Sequence, residues 1–146
     1  MTEDRKYDVL KLENQICFPL YAASREVVKR YRPFLEPLDL TYTQYIAMMV
    51  FWEQKKCSVK ELGERLFLDS GTLTPVLKSL EAKGYVSRYR SSEDERVLLV
   101  EVTEEGMRLR DRAVRVPAQL GGCIRLDEKD AKQLYDLLYR LLDAIE

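Results

Sequence analysis

The stretch that decides the fold is LDSGTLTPVLKSLEAKGYVSRYRSSEDERVLLVEV, residues 68–102. Its first half predicts a helix, because apolar residues recur at steps of three and four: Leu73, Val76, Leu77 and Leu80. A proline is tolerated only near a helix start, so Pro75 places that start near Ser70 or Thr72. Gly84 suits the position just after the helix end. Beyond it, YVSRYR and RVLLVEV predict two strands around the polar tip SSEDE, which together form a hairpin.

Two further helices are predicted upstream of this stretch. Thr41 and Gln44 have the spacing of a capping box ahead of an apolar segment, and Ser58 and Glu61 repeat it ahead of a short helix. The order is therefore helix, short helix, turn, helix and two-stranded hairpin. That order is typical of a winged helix-turn-helix, and the fold class is predicted as mainly α with a small β-hairpin wing.

Long helices flank this centre on both sides. A helical pattern runs from about Tyr7 to Tyr31 and is ended by Pro33 and Pro37, and another begins after Thr103 and continues to about Val116. A last helix, from about 127 to 145, carries a wide leucine-rich stripe: Leu134, Leu137, Leu138, Leu141, Leu142 and Ile145. These faces either pack within the chain or pair with a second copy, and we favour dimerisation. Residues 1–146 are then one domain, with dimerisation helices over about 7–36 and 103–146 and a DNA-binding lobe over about 40–102.

The composition narrows the chemistry. The 146 residues include 24 basic, 25 acidic and no histidine, which excludes histidine-dependent catalysis and histidine metal sites. The three cysteines have no CxxC spacing, so we predict thiols, no metal and no cofactor. Neither a long apolar run nor a secretory signal is present in the sequence, and we expect a cytoplasmic protein that does not associate with a membrane.

The predicted helix and hairpin carry a local positive charge although the whole chain has a net charge of −1. Four basic residues face one acid, Glu81, over residues 70–92, which is what phosphate binding requires. The second helix of a helix-turn-helix enters the major groove of DNA. The DNA-binding candidates are therefore Ser70, Thr72, Thr74 and Lys78 on the helix, with Arg88, Arg90 and Arg96 on the hairpin. A solvated charged face without a ligand is the alternative.

Cys17 lies in NQICFPLY, residues 14–21, and is either a core residue or a reactive thiol. No lysine or arginine occurs in the seven residues after it, so hydrogen-bond donors are left to stabilise a thiolate. Tyr21 is on the same helical face, whereas Tyr31 lies about 21 Å along a straight helix and reaches the thiol only from an antiparallel partner. Pro19 predicts either a kink at 15–19 or a helix that starts near Phe18, which would place a positive helix end beside Cys17.

The segments FLDSGTLTPVLKSLEAKGYV and SSEDERVLLVEVTEEG resemble the DNA-binding lobe of the MarR family, including its DER wing pattern at 94–96. LTYTQYIAMM and NQICFPLY resemble the organic hydroperoxide regulators of that family, and the match covers nearly the whole chain in order. The resemblance implies a homodimeric repressor that binds a palindromic operator on double-stranded DNA. It also implies inactivation when organic hydroperoxides oxidise a cysteine.

Residue roles follow from the same resemblance. Cys17 matches the redox sensor, Tyr31 and Tyr42 match tyrosines that bond the thiol from the other subunit, and Arg96 matches the wing arginine. Either Asp94 or Asp69 is expected to orient Arg96. Cys123, in VPAQLGGCIRL, matches the resolving cysteine of the two-cysteine class, which implies an intersubunit disulfide with Cys17.

The sequence leaves three points open. Cys57, next to Lys55 and Lys56, is predicted to be an exposed bystander. A repressor of the same family gated by a small aromatic ligand is the main alternative function, and a thiol peroxidase that uses Cys17 is a weaker one. A small thiol, rather than Cys123, is the alternative partner of an oxidised Cys17.

Overall fold

A computed structural model describes residues 2–145 as eight α-helices, three short 3₁₀ helices and a three-stranded sheet. The helices are α1 (Thr2–Lys6), α2 (Cys17–Leu35), α3 (Tyr42–Gln54), α4 (Val59–Leu66), α5 (Ser70–Ala82), α6 (Glu104–Ala113), α7 (Val116–Gly121) and α8 (Glu128–Ala144). The strands are β1 (Lys56–Ser58), β2 (Val86–Arg90) and β3 (Leu98–Val102). No helix in this part of the chain combines the length and apolar character needed to cross a lipid bilayer.

The central lobe has the predicted winged helix-turn-helix order. Helices α3, α4 and α5 pack together, and β2 and β3 form an antiparallel hairpin in which Arg88 lies opposite Val100. The core is formed by side chains from these helices and from the sheet, among them Met48, Phe51, Leu62, Leu73, Leu77 and Val100. The mainly α fold with a small β wing is therefore confirmed.

Local signals fixed most helix boundaries. Thr41 and Gln44 form the complete capping box at α3, and the Thr103 hydroxyl accepts the Gly106 N–H at the start of α6. Gly84, at a φ of 83°, has the left-handed conformation that follows the end of a helix. Helix α5 begins at Ser70, within the predicted range, and Pro75 lies inside the helix rather than in its first turn.

The strand β1 was not predicted. It pairs with the outer side of β3, so Cys57 lies opposite Val100 and is 4% exposed. The prediction that Cys57 is exposed is therefore wrong. Three residues are too few for an alternating pattern to be visible in the sequence, and only the pairing with β3 creates the strand.

The N-terminal segment differs from the continuous helix predicted from about Tyr7. Two 3₁₀ helices, Asp8–Leu10 and Leu12–Asn14, precede α2. The Asn14 amide donates to the Asp8 carbonyl at 2.7 Å, and the Gln15 amide donates to the Val9 carbonyl at 2.6 Å. Such bonds compete with helical ones, so the α-helix begins only at Cys17.

Both prolines of α2 lie inside it. Pro19 occupies the first turn, where a backbone N–H has no helical partner, so its presence costs no helical hydrogen bond. Pro33 was predicted to end the helix, but α2 continues to the buried Leu35. Pro117 likewise lies in the first turn of α7 rather than beyond a helix, and α6 ends at Ala113.

Candidate DNA interface and thiol site

The exposed face of α5 carries the four predicted DNA-binding side chains of this helix. Leu73, Leu77 and Leu80 are buried against the core, which turns Ser70, Thr72, Thr74 and Lys78 to the opposite, exposed side. The Thr74 hydroxyl donates to the Ser70 carbonyl at 2.7 Å and keeps its lone pairs free to accept. The start of the helix is thus a small, hydroxyl-rich surface.

Asp69 fixes where this surface begins. Its carboxylate accepts the Thr72 N–H at 2.7 Å, and this hydrogen bond holds the pKa of Asp69 below its ordinary value. Asp69 is therefore the N-cap of α5 and is not the ion-pair partner of Arg96. Asp94 is that partner: its carboxylate accepts from Arg96 Nε at 3.1 Å and from Nη2 at 3.2 Å, which lowers the pKa of Asp94.

The wing arginines have different environments. The Arg96 side chain is 90% exposed and lines one open groove with Ser70 and Thr74, so the tip of the wing and the start of α5 share a face. Arg90 is also exposed. Arg88 is only 20% exposed, and its guanidinium donates to Glu81 at 3.1 Å, which lowers the pKa of Glu81.

Two residues of the groove were missed by the sequence reasoning. Lys60, on α4, and Phe67, in the turn between α4 and α5, line it beside Ser70. Phe67 is 60% exposed and has the left-handed φ of 57°. The left-handed conformation is unusual for a large apolar residue and would have drawn attention to Phe67. It is a property of the backbone, however, and is not visible in the sequence.

Cys17 is the first residue of α2 and is exposed. Apolar side chains surround it in sequence and are also exposed, namely Ile16, Phe18, Leu20 and Tyr21. The amide end of a helix favours negative charge, and the apolar side chains suit a hydrocarbon group. This arrangement resolves the Pro19 alternatives in favour of a helix start at the cysteine.

Tyr31 and Tyr42 form an aromatic cluster with Tyr45 that lies far from the same chain's Cys17. The ring centroids of Tyr31 and Tyr42 are 4.8 Å apart. Burial, with a contribution from the neighbouring tyrosines, raises the pKa of Tyr31 to about 12, so its hydroxyl stays protonated and can donate. Tyr31 follows Cys17 by fourteen positions, which correspond to about 21 Å along the helix. Tyr21, by contrast, is one turn from Cys17, is 59% exposed and lies under Arg25.

The other two cysteines differ in their exposure to solvent. Burial is the main cause that raises the pKa of Cys57 from 9.0 to about 11, so this thiol is inert. Cys123 is exposed just after α7, where its Sγ is 3.7 Å from the Gln119 carbonyl oxygen. Helix α7 packs against α2.

Helix α5, the second helix of the helix-turn-helix and hence its recognition helix, shares a face with the wing formed by β2 and β3, and this arrangement defines a DNA-binding regulator of the winged-helix class. A family described as transcriptional regulator SarA/Rot matches residues 29–113. An organic hydroperoxide resistance transcriptional regulator of Bacillus subtilis (strain 168) is 48% identical over 142 residues and 97% of each chain. The chain therefore belongs to the MarR and SarA/Rot family of transcriptional regulators, in its organic hydroperoxide group, and is not an enzyme.

Solved structures agree with this assignment. Reduced AbfR bound to DNA has a TM-score of 0.77 and 32% identity over 96% of this chain and 97% of that chain. Disulfide-formed AbfR has a TM-score of 0.65 and 31% identity over 96% and 98% of the two chains. A cysteine-to-serine mutant of E. coli MarR in complex with operator DNA has a TM-score of 0.80 and 25% identity over 90% and 99%. AbfR is a Staphylococcus epidermidis protein.

Proposed function

We propose that this chain is a homodimeric repressor that releases a palindromic operator when an organic hydroperoxide oxidises Cys17. The observation that carries the proposal is the position of Cys17, an exposed thiol at the first residue of α2 among exposed apolar side chains. A relative named for organic hydroperoxide resistance supports the same effector. A regulator of this kind acts where the chromosome is, so we place it in the cytoplasm.

The chemistry is a two-electron oxidation of sulfur. The Cys17 thiolate attacks the outer peroxide oxygen, the S–O bond forms as the O–O bond breaks, and the alkoxide takes a proton and leaves as the alcohol. Sulfur is oxidised to the sulfenic acid and the peroxide is reduced. The apolar residues around Cys17 favour a bulky hydrocarbon peroxide over hydrogen peroxide.

The DNA-binding surface is the exposed face of α5 together with the wing. We assign groove contacts to Ser70, Thr72 and Thr74, and phosphate contacts to Lys78 and Arg90. Arg96, supported by Asp94, reaches the minor groove. Arg88 contributes its charge to the field, but its guanidinium is engaged with Glu81, so we expect it to matter less than Arg96 for DNA binding.

Dimerisation is supported by the faces that the chain leaves uncovered. None of the described residues of α8 is buried, although the helix carries a leucine-rich stripe, and α2 buries only Leu35. We infer that 17–35 and 104–144 form the dimer interface. In an antiparallel arrangement, Tyr31 and Tyr42 of one subunit donate hydrogen bonds to Cys17 of the other, which their own chain's geometry does not permit.

The fate of the sulfenic acid involves Cys123. We propose that the Cys123 thiol of the partner subunit attacks the Cys17 sulfenic acid, forms the disulfide and releases water. Support comes from the exposure of Cys123 beside Gly121 and Gly122, and from a relative, AbfR, that has been solved in a disulfide-formed state. The resulting shift of the dimer helices would change the spacing of the two recognition helices, which an operator fixes at about 34 Å.

The test is an operator gel shift with wild type, Cys17→Ser and Cys123→Ser, each with and without cumene hydroperoxide, followed by non-reducing electrophoresis. We expect wild type to release DNA and form a covalent dimer, Cys17→Ser to do neither, and Cys123→Ser to lose the covalent dimer. Release of DNA from oxidised Cys17→Ser would overturn the assignment of the sensor. Retention of DNA in every lane would favour a repressor gated by a small aromatic ligand.

A further inference from the structure

A polar cluster around the buried side chain of Gln44 joins the ends of three elements. We call it the Gln44 junction, and it comprises Asp39, Thr41, Gln44, Ser79 and Lys83. Gln44 is only 6% exposed and is the third residue of α3. Ser79 and Lys83 belong to the C-terminal end of α5.

The side-chain amide of Gln44 is bonded at both of its polar atoms. Its oxygen accepts the Thr41 N–H at 3.1 Å and the Lys83 ammonium at 3.0 Å. Its nitrogen donates to the Ser79 hydroxyl at 3.0 Å. Loss of a partner by a buried amide lowers the stability of the folded protein. These bonds therefore hold the start of α3 and the end of α5 in one relative position.

The junction lies next to the aromatic cluster that contains Tyr42. Tyr42 is the first residue of α3, two positions before Gln44, and its ring is 4.8 Å from that of Tyr31. Lys83 also donates to the carbonyl oxygen of Asp39, in the turn that follows α2 and its 3₁₀ extension. The end of α5 is therefore bonded to the two segments that carry Tyr31 and Tyr42.

The DNA-facing residues are on the same helix as Ser79. Helix α5 runs from Ser70 to Ala82 without a break, so a displacement of its C-terminal end also displaces Ser70, Thr72 and Thr74. The Gln44 junction therefore joins the start of α3, which carries Tyr42, to this helix by hydrogen bonds.

We propose that Gln44 is a positioning residue that transmits the loss of tyrosine–thiol bonding to the recognition helix through Ser79 and Lys83. The inference rests on the proposed function, since it needs Cys17 oxidation to move Tyr31 or Tyr42. It assigns the response, rather than DNA binding itself, to Gln44. Oxidation of Cys17 and release of DNA then become separable steps.

The test compares Ser79→Ala, which removes one of the two Gln44 bonds between α3 and the end of α5, with wild type. Full-length dimers are oxidised with cumene hydroperoxide, Cys17 oxidation is followed by thiol counting, and the operator Kd is measured before and after. We expect unchanged oxidation but a ratio of oxidised to reduced Kd about tenfold smaller than in wild type. Lys83→Met removes the second bond and is expected to act in the same direction.

The matched control is Arg65→Met. It breaks the 2.7 Å ion pair between Arg65 and Glu53, which joins α4 to α3 without involving α5, and should leave the ratio at the wild-type value. Circular dichroism checks folding, and Lys83→Met decides the matter if Ser79→Ala does not fold. A wild-type ratio in both variants, with wild type itself releasing DNA, overturns the role of Gln44 alone. If wild type is oxidised and keeps its DNA, the proposed function fails instead.

Discussion

Neighbouring charges give Arg88 and Arg96 different roles although both belong to the same hairpin. Arg88 is held against Glu81 at 3.1 Å and joins β2 to α5, whereas Arg96 projects from the wing tip and is 90% exposed. Their sequence contexts did not distinguish them, because Glu81 is seven residues from Arg88 and only the packing of α5 on β2 brings the two together. Predictions of DNA contacts from charge counts therefore overstate the number of free arginines.

We predict that Arg96→Ala weakens operator binding about tenfold and lowers the slope of log affinity against log salt by about 1, because one positive charge in the minor groove between the phosphate backbones is lost. Fluorescence anisotropy between 50 and 200 mM salt measures both quantities. Arg65→Ala removes an exposed arginine outside the groove and should leave both unchanged. An unaltered affinity in Arg96→Ala would exclude this arginine from the interface.

The buried thiol of Cys57 predicts how the stability of the folded protein depends on pH. Its folded pKa is raised from 9.0 to about 11, so the folded state keeps a proton that the unfolded state loses above pH 9. The stabilisation is complete below pH 9 and declines as the pH rises towards 11. Between pH 8 and 10 we expect Cys57→Ala to lose about 1 kcal/mol less stability than wild type, measured by urea unfolding. Cys123→Ala, at an exposed thiol, should follow the wild-type curve.

At the scale of elements, short-range signals predicted well and long-range ones did not. Caps such as Thr41 and Thr103, and the glycine after α5, act within four residues and are readable in the sequence. By contrast, β1 exists only through its pairing with β3, forty residues further along the chain. The segment before Cys17 is different again. Its apolar residues have helical spacing over 7–16, but hydrogen bonds from the Asn14 and Gln15 side-chain amides to the backbone accompany two 3₁₀ helices instead of an α-helix.

The turn of the helix-turn-helix depends on Gly63. A Cβ there would come within 2.7 Å of the Leu68 carbonyl oxygen, which belongs to the backbone and cannot move independently. We predict that Gly63→Ala destabilises the protein by about 2–3 kcal/mol, measured by urea unfolding. Gly121→Ala, at the end of α7, meets nothing within 4 Å and should change stability by less than about 1 kcal/mol.

At the scale of the whole molecule, α8 requires a partner surface. Leu134, Leu137 and Leu141 are each more than 40% exposed, and the helix buries no side chain among the described residues. We predict that Leu141→Glu shifts the protein towards monomers in analytical ultracentrifugation and weakens operator binding at least tenfold, since the two half-sites are then bound independently. Lys132→Glu, on the opposite face of α8, should remain dimeric.

The arrangement of the thiol site across two subunits is tested by mixed dimers. In a dimer of one Cys17→Ser chain and one Tyr31→Phe chain, the single remaining Cys17 faces an intact Tyr31 only if the tyrosine acts from the other subunit. We expect this Cys17 to react with cumene hydroperoxide at the wild-type rate, whereas a Tyr31→Phe homodimer reacts about tenfold more slowly for lack of the hydrogen bond to the thiolate. A mixed dimer as slow as the homodimer would place Tyr31 beside the Cys17 of its own chain, which the straight course of α2 opposes.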